Sequence, residues 1–383
     1  MFEIAGNRGR LELFNWTIDP FMRHNTLNII LGNGFSGLLF LTHQPVLQRY
    51  CGLRSFKDAV KSIIWSYIFG FLTIGLVILT GISIFAHYAD CDPLKSHQIE
   101  KSDQIVPFFV IQELAFIPGM MGLFAAVIFS AVLSTISSTL NSLAAVTYED
   151  FLSKISFFRN MGDFGQTCTY KTLSVMYGVI CVALAFSAEH FGSIFQAAIT
   201  VVGAAIGVLG SVFLTGVFMP FVNKRGAISG LVVGISAMSV ITIQAILIQK
   251  THSFQPKLDV SIEQCSESVY ENLKNATLDT SKKLLGVDDL KWPTKFFTVS
   301  YILYSFIGGM ITIIVGVLVS VLTNGCRDAK YVSPEFLHPL IRPKKASVPP
   351  VSIPKAHINR GFIDYGDNMQ MSTRPSQVNK SQE

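Results

Sequence analysis

Hydrophobic positions in this chain are gathered into long uncharged runs separated by short polar stretches. Seven runs stand out: Leu27–Leu47, Ser62–Ala86, Leu114–Tyr148, Thr172–Ala188, Phe191–Asn223, Gly226–Gln249 and Phe296–Cys326. A helix needs about 20 mainly apolar residues to cross the hydrocarbon core of a bilayer. Each run reaches or approaches that length, the fourth being the shortest. The pattern predicts an all-α membrane protein of about seven transmembrane helices. Residues 1–26 read as an N-terminal segment, 27–249 as six spans, 250–295 as a polar loop and 296–326 as the last span. From 327 to 383 the chain is rich in Pro, Ser, Lys and Asn and reads as a disordered tail.

Composition agrees with this picture. Half of the 383 residues are hydrophobic and 14% are charged, against about 25% charged in soluble domains. The net charge of +5 is informative through its placement, and does not point to nucleic acid. Short cytoplasmic loops are enriched in Lys and Arg. Arg49, Arg54, Lys57 and Lys61 follow the first run, and Lys154, Arg159 and Lys171 follow the third. Lys224 and Arg225 mark a tight turn, and Arg327, Lys330, Arg342, Lys344, Lys345 and Lys355 lie in the tail. The intervening loop 88–113 is acidic. These segments alternate if the N-terminus is extracellular and the C-terminus cytoplasmic.

Other signals fit the same frame. The sequons at Asn15 and Asn275 both fall outside, where N-glycosylation occurs. A third, at Asn379, falls inside and reads as chance. Cys91 and Cys265 lie in the two large outer loops, where a disulfide is permitted, although spacing does not show that they pair. Met1–Arg23 is polar and carries no apolar signal-peptide core. Insertion is therefore left to the first internal helix or to a preceding segment. Neither a nucleophile–base pair, a metal-ligand cluster nor a phosphate loop is visible, so an enzyme is not expected.

The third run carries the chemistry. Ala131, Ser134, Thr135, Ser138 and Ser142 recur at helical spacing and share one face. Two physical explanations fit. Small residues let helices approach closely, and hydroxyls can bond across them; this is the commoner use. Alternatively, hydroxyls and carbonyls can ligate a hard cation without adding buried negative charge. Gly32 and Gly34 could mark an unwound helix segment or simple packing. His43 and Gln44 could line a solute pathway or reach toward the interface. Glu149 and Asp150 read as a polar helix end, and His87 and His190 as solvated interfacial residues.

The stripe sits within a longer pattern: Asp103-Gln-Ile-Val-Pro107, Pro118-Gly119, Gly122-Leu-Phe, Phe129-Ser-Ala, and Leu133-Ser-Thr-Ile-Ser-Ser-Thr-Leu-Asn-Ser-Leu-Ala-Ala-Val-Thr-Tyr-Glu-Asp-Phe151. Asn33-Gly34, Gln44, Gln48-Arg49-Tyr50, Gly216 to Pro220 and Asn223-Lys-Arg-Gly-Ala227 accompany it. Together these resemble the sodium/solute symporter family, in its branch of sodium-coupled monocarboxylate, multivitamin and iodide transporters. The resemblance covers about residues 1–325.

What it implies follows. The family core has two inverted five-helix repeats. This chain would hold the second repeat plus two peripheral helices, the C-terminal portion of the transporter, with the first repeat lying elsewhere. The third run would be core helix eight, whose Na⁺ ligands map onto the backbone carbonyl of Ala131 and the hydroxyls of Ser134 and Thr135. Ser138 and Ser142 stay with packing. Gly34, His43 and Gln44 would lie on the substrate pathway. Asn28 stands where the family usually shows Trp, His43 where Asn is common, and Val208 where Pro is frequent. The implied function is sodium-coupled symport of a small organic anion, a monocarboxylate or vitamin, across the plasma membrane. The alternative is a truncated, non-transporting membrane protein that regulates or pairs with full-length symporters.

Overall fold

A computed structural model describes residues 1–323, except 13, 23, 41, 188–193, 252–257, 259, 266–291 and 293, together with positions 332, 337, 338 and 341. Among these residues all regular secondary structure is helical. A short α1 (Phe2–Asn7) precedes α2 (Thr26–Phe40), α3 (Gln44–Cys51), α4 (Phe56–His87) and α5 (Ile105–Glu113). The long helices α6 (Met120–Val146), α7 (Asp163–Ser187), α8 (Ile194–Phe218), α9 (Lys224–Thr251) and α10 (Tyr304–Leu322) follow. Six of these, α4 and α6 to α10, are long and apolar enough to cross a membrane.

The expected first span differs. Its run does not form one helix: α2 ends at Phe40 and α3 starts at Gln44. Pro45 at the start of α3 explains the break. It lacks an N–H, its ring clashes with the carbonyl four residues back, and its fixed φ suits a first turn. Inside α2, residues Ile29–Asn33 form a π-helical turn. The third run also starts later than expected, because Gly119 is left-handed, with φ of 85°, immediately before α6. A glycine accepts that conformation without a Cβ penalty.

Local capping sets other boundaries. Asn25 Oδ1 accepts the Asn28 N–H at 2.7 Å to open α2. Ser55 Oγ accepts the Asp58 N–H at 3.2 Å to open α4, and Asn223 Oδ1 accepts the Gly226 N–H at 2.9 Å to open α9. Each side chain satisfies a donor that the first helical turn leaves unpaired.

The best-packed part of the molecule is formed by α8, α9, α10 and α2. Val208, Met238, Ile241, Tyr301 and Tyr304 lie at its centre. Glycines bring these helices together. Gly226, Gly230 and Gly234 recur every four residues on α9 and face Thr312, Gly316 and Ser320 on α10. This is the close approach of small-xxx-small packing in membranes, where dispersion contacts and hydrogen bonds replace the hydrophobic effect. Val208, buried at the α8–α10 contact, fills the space above Gly234 and Gly308.

The other spans bury little of themselves within the chain. The apolar stretches of α6 and α7 are not buried at all, and that of α4 only to 6%. Such faces suit lipid or other protein.

Segments distant in sequence meet near the His87 end of α4. The Cys91 and Cys265 sulfurs are bonded, with Cα atoms 5.0 Å apart. Beside them the Asp92 N–H donates to Ser261 and the Gln264 N–H to Asp90, at 3.0 and 3.2 Å. Lys95 Nζ donates to the Val260 carbonyl at 2.9 Å. Arg8 reaches the Ala89 carbonyl and the Asp90 carboxylate, and Arg10 lies 4.6 Å over the Phe85 ring.

At the opposite end, the α8–α9 turn is tied to the end of α10: Asn223 Nδ2 donates to Thr323 Oγ1 at 2.9 Å. The tail expected from residue 327 lies almost wholly outside the described residues. Leu337 is nonetheless buried. The His338 N–H donates to the Val217 carbonyl at 3.2 Å, and its ring stacks on Phe218 at 4.8 Å.

Candidate functional site

The site begins with the backbone of α6. Its hydroxyls lie at helical spacing, so several turn back onto the preceding turn. Thr135 Oγ1 donates to the Ala131 carbonyl at 3.1 Å. Ser138 Oγ donates to the Ser134 carbonyl at 3.0 Å, and Thr139 Oγ1 to the Thr135 carbonyl at 2.9 Å. These bonds satisfy the hydroxyls locally in an apolar surrounding.

The two halves of the stripe have different environments. The half towards the C-terminal end of α6 is covered by α3. Arg49 Nη2 donates to Ser138 Oγ at 2.9 Å, and Ser142 Oγ donates to Gln48 Oε1 at 2.7 Å. The half towards the N-terminal end is open. Ala126, Val127, Ser130, Ala131 and Ser134 line a shallow groove of about 560 Å³, and Thr135 beside it is exposed.

These residues fit a small hard cation chemically. The Ala131 carbonyl and Thr135 hydroxyl oxygens are 3.1 Å apart, a separation compatible with one ion contacting both at about 2.3–2.6 Å. Ser134 lies on the same helical face and borders the groove. All three donors are neutral oxygens, so the ion's charge would not be cancelled by a buried carboxylate. A hard cation takes about six to eight ligands, so three oxygens would supply one side of its coordination shell.

The expected pathway residues lie elsewhere. Gly34 follows the π turn of α2, and a Cβ there would meet nothing within 4 Å. Its neighbour Gly32 is buried, and a Cβ would collide with the Ile302 carbonyl. Ser305 Oγ donates to the Gly32 carbonyl at 2.8 Å. A π turn in a membrane helix is often functional. His43 precedes α3 in extended conformation, its ring stacked on Phe40 at 5.4 Å. Gln44 is exposed at the first turn of α3. Among the described residues, none of these three is hydrogen-bonded to Ala131, Ser134 or Thr135.

Asn28 is consumed by structure. It is 2% exposed, and its Nδ2 donates to the Asp19 and Met22 carbonyls at 3.0 and 2.8 Å. It ties the loop before α2 to that helix and does not face an open path.

Asn15 sits in a turn in which Thr17 Oγ1 donates to Asn15 Oδ1 at 2.7 Å. Asn275 lies outside the described residues, as do Asn379 and His190. Glu149 accepts from Tyr170 Oη at 2.7 Å, beyond the end of α6. His87 Nε2 is 3.2 Å from a Glu113 carboxylate oxygen. Next to it, burial and then the Glu113 charge push the Tyr88 phenol above its ordinary value. Tyr88 therefore remains a neutral donor at physiological pH and donates to Gln112 Oε1 at 3.0 Å.

Sequence reasoning missed two features. The clasp of Gln48 and Arg49 on the stripe joins residues 94 and 89 positions apart, which no local pattern reports. The second is the α9 glycine ladder, whose partner on α10 lies some 80 to 100 positions away in sequence.

Comparison with known proteins bears on this site. Residues 15–234 match the model of the sodium:solute symporter family. The human "Sodium-coupled monocarboxylate transporter 2" is 30% identical over 341 residues, covering 89% of this chain and 53% of that protein. The human "Sodium-coupled monocarboxylate transporter 1" is 31% identical over 337 residues, 86% of this chain and 55% of that protein. The rabbit (Oryctolagus cuniculus) "Sodium-dependent multivitamin transporter" is 32% identical over 357 residues, 92% and 54% respectively. The chain thus spans about half the length of the curated relatives it matches.

Proposed function

The chain belongs to the sodium:solute symporter family, and on that premise we propose that it serves sodium-coupled symport of a small organic anion, a monocarboxylate or a vitamin. Its relatives are named for sodium-coupled transport of monocarboxylates and vitamins, and their names supply the solute class. The carrying observation is the open face of α6. There the Ala131 carbonyl and Thr135 hydroxyl oxygens are 3.1 Å apart and Ser134 lines the adjoining groove, which supports reading the three as neutral-oxygen ligands for Na⁺.

In this reading Na⁺ binds at these three oxygens, with further ligands from elsewhere in the transporter. Its binding energy favours the state in which the solute is enclosed. The inward sodium gradient then drives the anion into the cell across the plasma membrane. Orientation follows the loop charges, with the N-terminus outside, sequons Asn15 and Asn275 outside, and the tail inside. Gly34, His43 and Gln44 are assigned to the solute pathway by resemblance alone.

The test is sodium-dependent uptake of labelled monocarboxylates and vitamins by cells expressing the protein. Uptake should require Na⁺, and Ser134→Ala and Thr135→Ala should each raise the sodium concentration needed for half-maximal uptake. Sodium dependence unaltered by both variants would sink the ligand assignment. Absence of any sodium-driven uptake, with raised or lowered uptake by a co-expressed full-length symporter, would support the alternative of a regulatory membrane protein.

A further inference from the structure

The described helices form two packed groups. One holds α2, α8, α9 and α10; the other holds α6 with α5 and α7. Among the described residues, the Cys91–Cys265 bond and its neighbouring hydrogen bonds tie the two groups near the His87 end of α4, and α3 links them beside the hydroxyl stripe of α6. It follows α2 after a three-residue link, in which His43 stacks on Phe40, and it packs on α6. Its two polar contacts there are Arg49 with Ser138 and Gln48 with Ser142. The far end of α2 is the π turn held by Ser305.

We propose that α3 is a coupling strut between the cation face of α6 and the π-turn helix α2, with Arg49 and Gln48 as its positioning residues. The inference rests on the sodium reading above. Its physical basis is a chain of contacts with a charge at one end. The Arg49 guanidinium donates to Ser138 Oγ, and Ser138 Oγ donates to the Ser134 carbonyl. Arg49 is therefore anchored one helical turn, about 6 Å of rise, from Ser134. Arginine stays protonated in proteins, so a cation arriving at Ala131, Ser134 and Thr135 meets a like charge close by.

Sodium and the parked guanidinium then oppose each other. Sodium binding loosens Arg49 from Ser138 and frees α3 to shift with α2. By linkage the relation is reciprocal: whatever weakens the Arg49 charge must tighten sodium binding. A residue that merely held the fold together would act in the other direction, because its loss would disorder the site and weaken binding.

The experiment measures sodium dependence of uptake for the unaltered protein, Arg49→Gln and Arg49→Lys. Arg49→Gln should lower the half-saturating sodium concentration by roughly three- to tenfold, the scale of a partly screened like charge at this range. Arg49→Lys keeps the charge and should stay near the unaltered value. A second measurement does not need transport. With cysteines other than Cys91 and Cys265 changed to serine, Gln48→Cys with Ser142→Cys should be joined by a short bifunctional thiol reagent, more slowly in sodium than in choline.

Half-saturation unchanged or raised in Arg49→Gln, or cross-linking indifferent to sodium, would overturn the strut. If sodium-driven uptake is present and weakened by Thr135→Ala while either of those results is found, the inference alone fails. If uptake never depends on sodium, the functional reading fails first and the inference with it.

Discussion

The Ser305 hydroxyl donates to the Gly32 carbonyl at 2.8 Å, and both residues are buried. This bond reaches from α10 into the π turn of α2, across 273 positions of sequence. A π turn rearranges the helical hydrogen-bond ladder, and a hydroxyl from a neighbouring helix is one way to satisfy its carbonyls.

Ser305→Ala leaves that buried carbonyl without this donor and should cost about 1–3 kcal/mol. Gly32→Ala should cost more, because the new methyl meets the Ile302 carbonyl. Gly34→Ala should be tolerated structurally, since its Cβ would meet nothing within 4 Å. Thermal unfolding in detergent, with the three variants compared side by side, measures the order.

The glycine ladder gives a sharper test of α9–α10 packing. At Gly230 a Cβ would lie about 2.5 Å from the Thr312 carbonyl oxygen. Gly230→Val should therefore separate the helices and cost several kcal/mol, beyond the roughly 1–3 kcal/mol of ordinary overpacking. Gly216→Ala, on α8 with nothing within 4 Å, serves as the control. Loss of monodisperse protein in size-exclusion chromatography for Gly230→Val alone is the expected outcome; equal behaviour of the two would refute the packing argument.

The Cys91–Cys265 bond joins residues 174 positions apart. Removing a native disulfide from a small secreted domain costs about 2–5 kcal/mol. Here membrane packing remains, so Cys265→Ser should lower thermal stability toward the small end of that range. The free Cys91 should then label with a membrane-impermeant thiol reagent applied to intact cells, which also tests whether this end faces outward. Failure to label would contradict the outward assignment or the exposure of Cys91.

Much of this organisation was legible because bilayer physics is severe. An uncharged run of bilayer length has few alternatives to a membrane helix, and six of the seven runs contain one. The first run was harder to read. Its hydrophobicity hides the break between Phe40 and Gln44, which depends on Pro45 setting a new first turn. The face of Ala131, Ser134 and Thr135 was legible from helical spacing, whereas its meaning was not. Spacing places hydroxyls on one side, but only three-dimensional packing separates the turns covered by Gln48 and Arg49 from those left open. Asn28 shows the same limit. In the sequence it is marked only as standing where the resemblance leads one to expect Trp, and its hydrogen bonds make it an anchor.

That anchor carries its own expected outcome. Asn28 Nδ2 is the donor to two carbonyls, those of Asp19 and Met22, while Asn25 Nδ2 also donates to Asp19 at 2.7 Å. Asn28→Ala removes both bonds; the Asp19 carbonyl keeps Asn25, and the Met22 carbonyl loses this donor. The cost should be about 1–3 kcal/mol. Asn28→Asp is nearly isosteric yet should be worse. It replaces the amide donor with a carboxylate oxygen aimed at two carbonyl oxygens, in a site only 2% exposed. Asn28→Trp, toward the residue usual in the family, must displace the 19–22 loop, because the site is filled. The order of unfolding temperatures should be Asn28, then Ala, then Asp and Trp. A stable Trp variant with unchanged uptake would mean that the loop can leave its place on α2 without consequence, and that Asn28 does not hold it there.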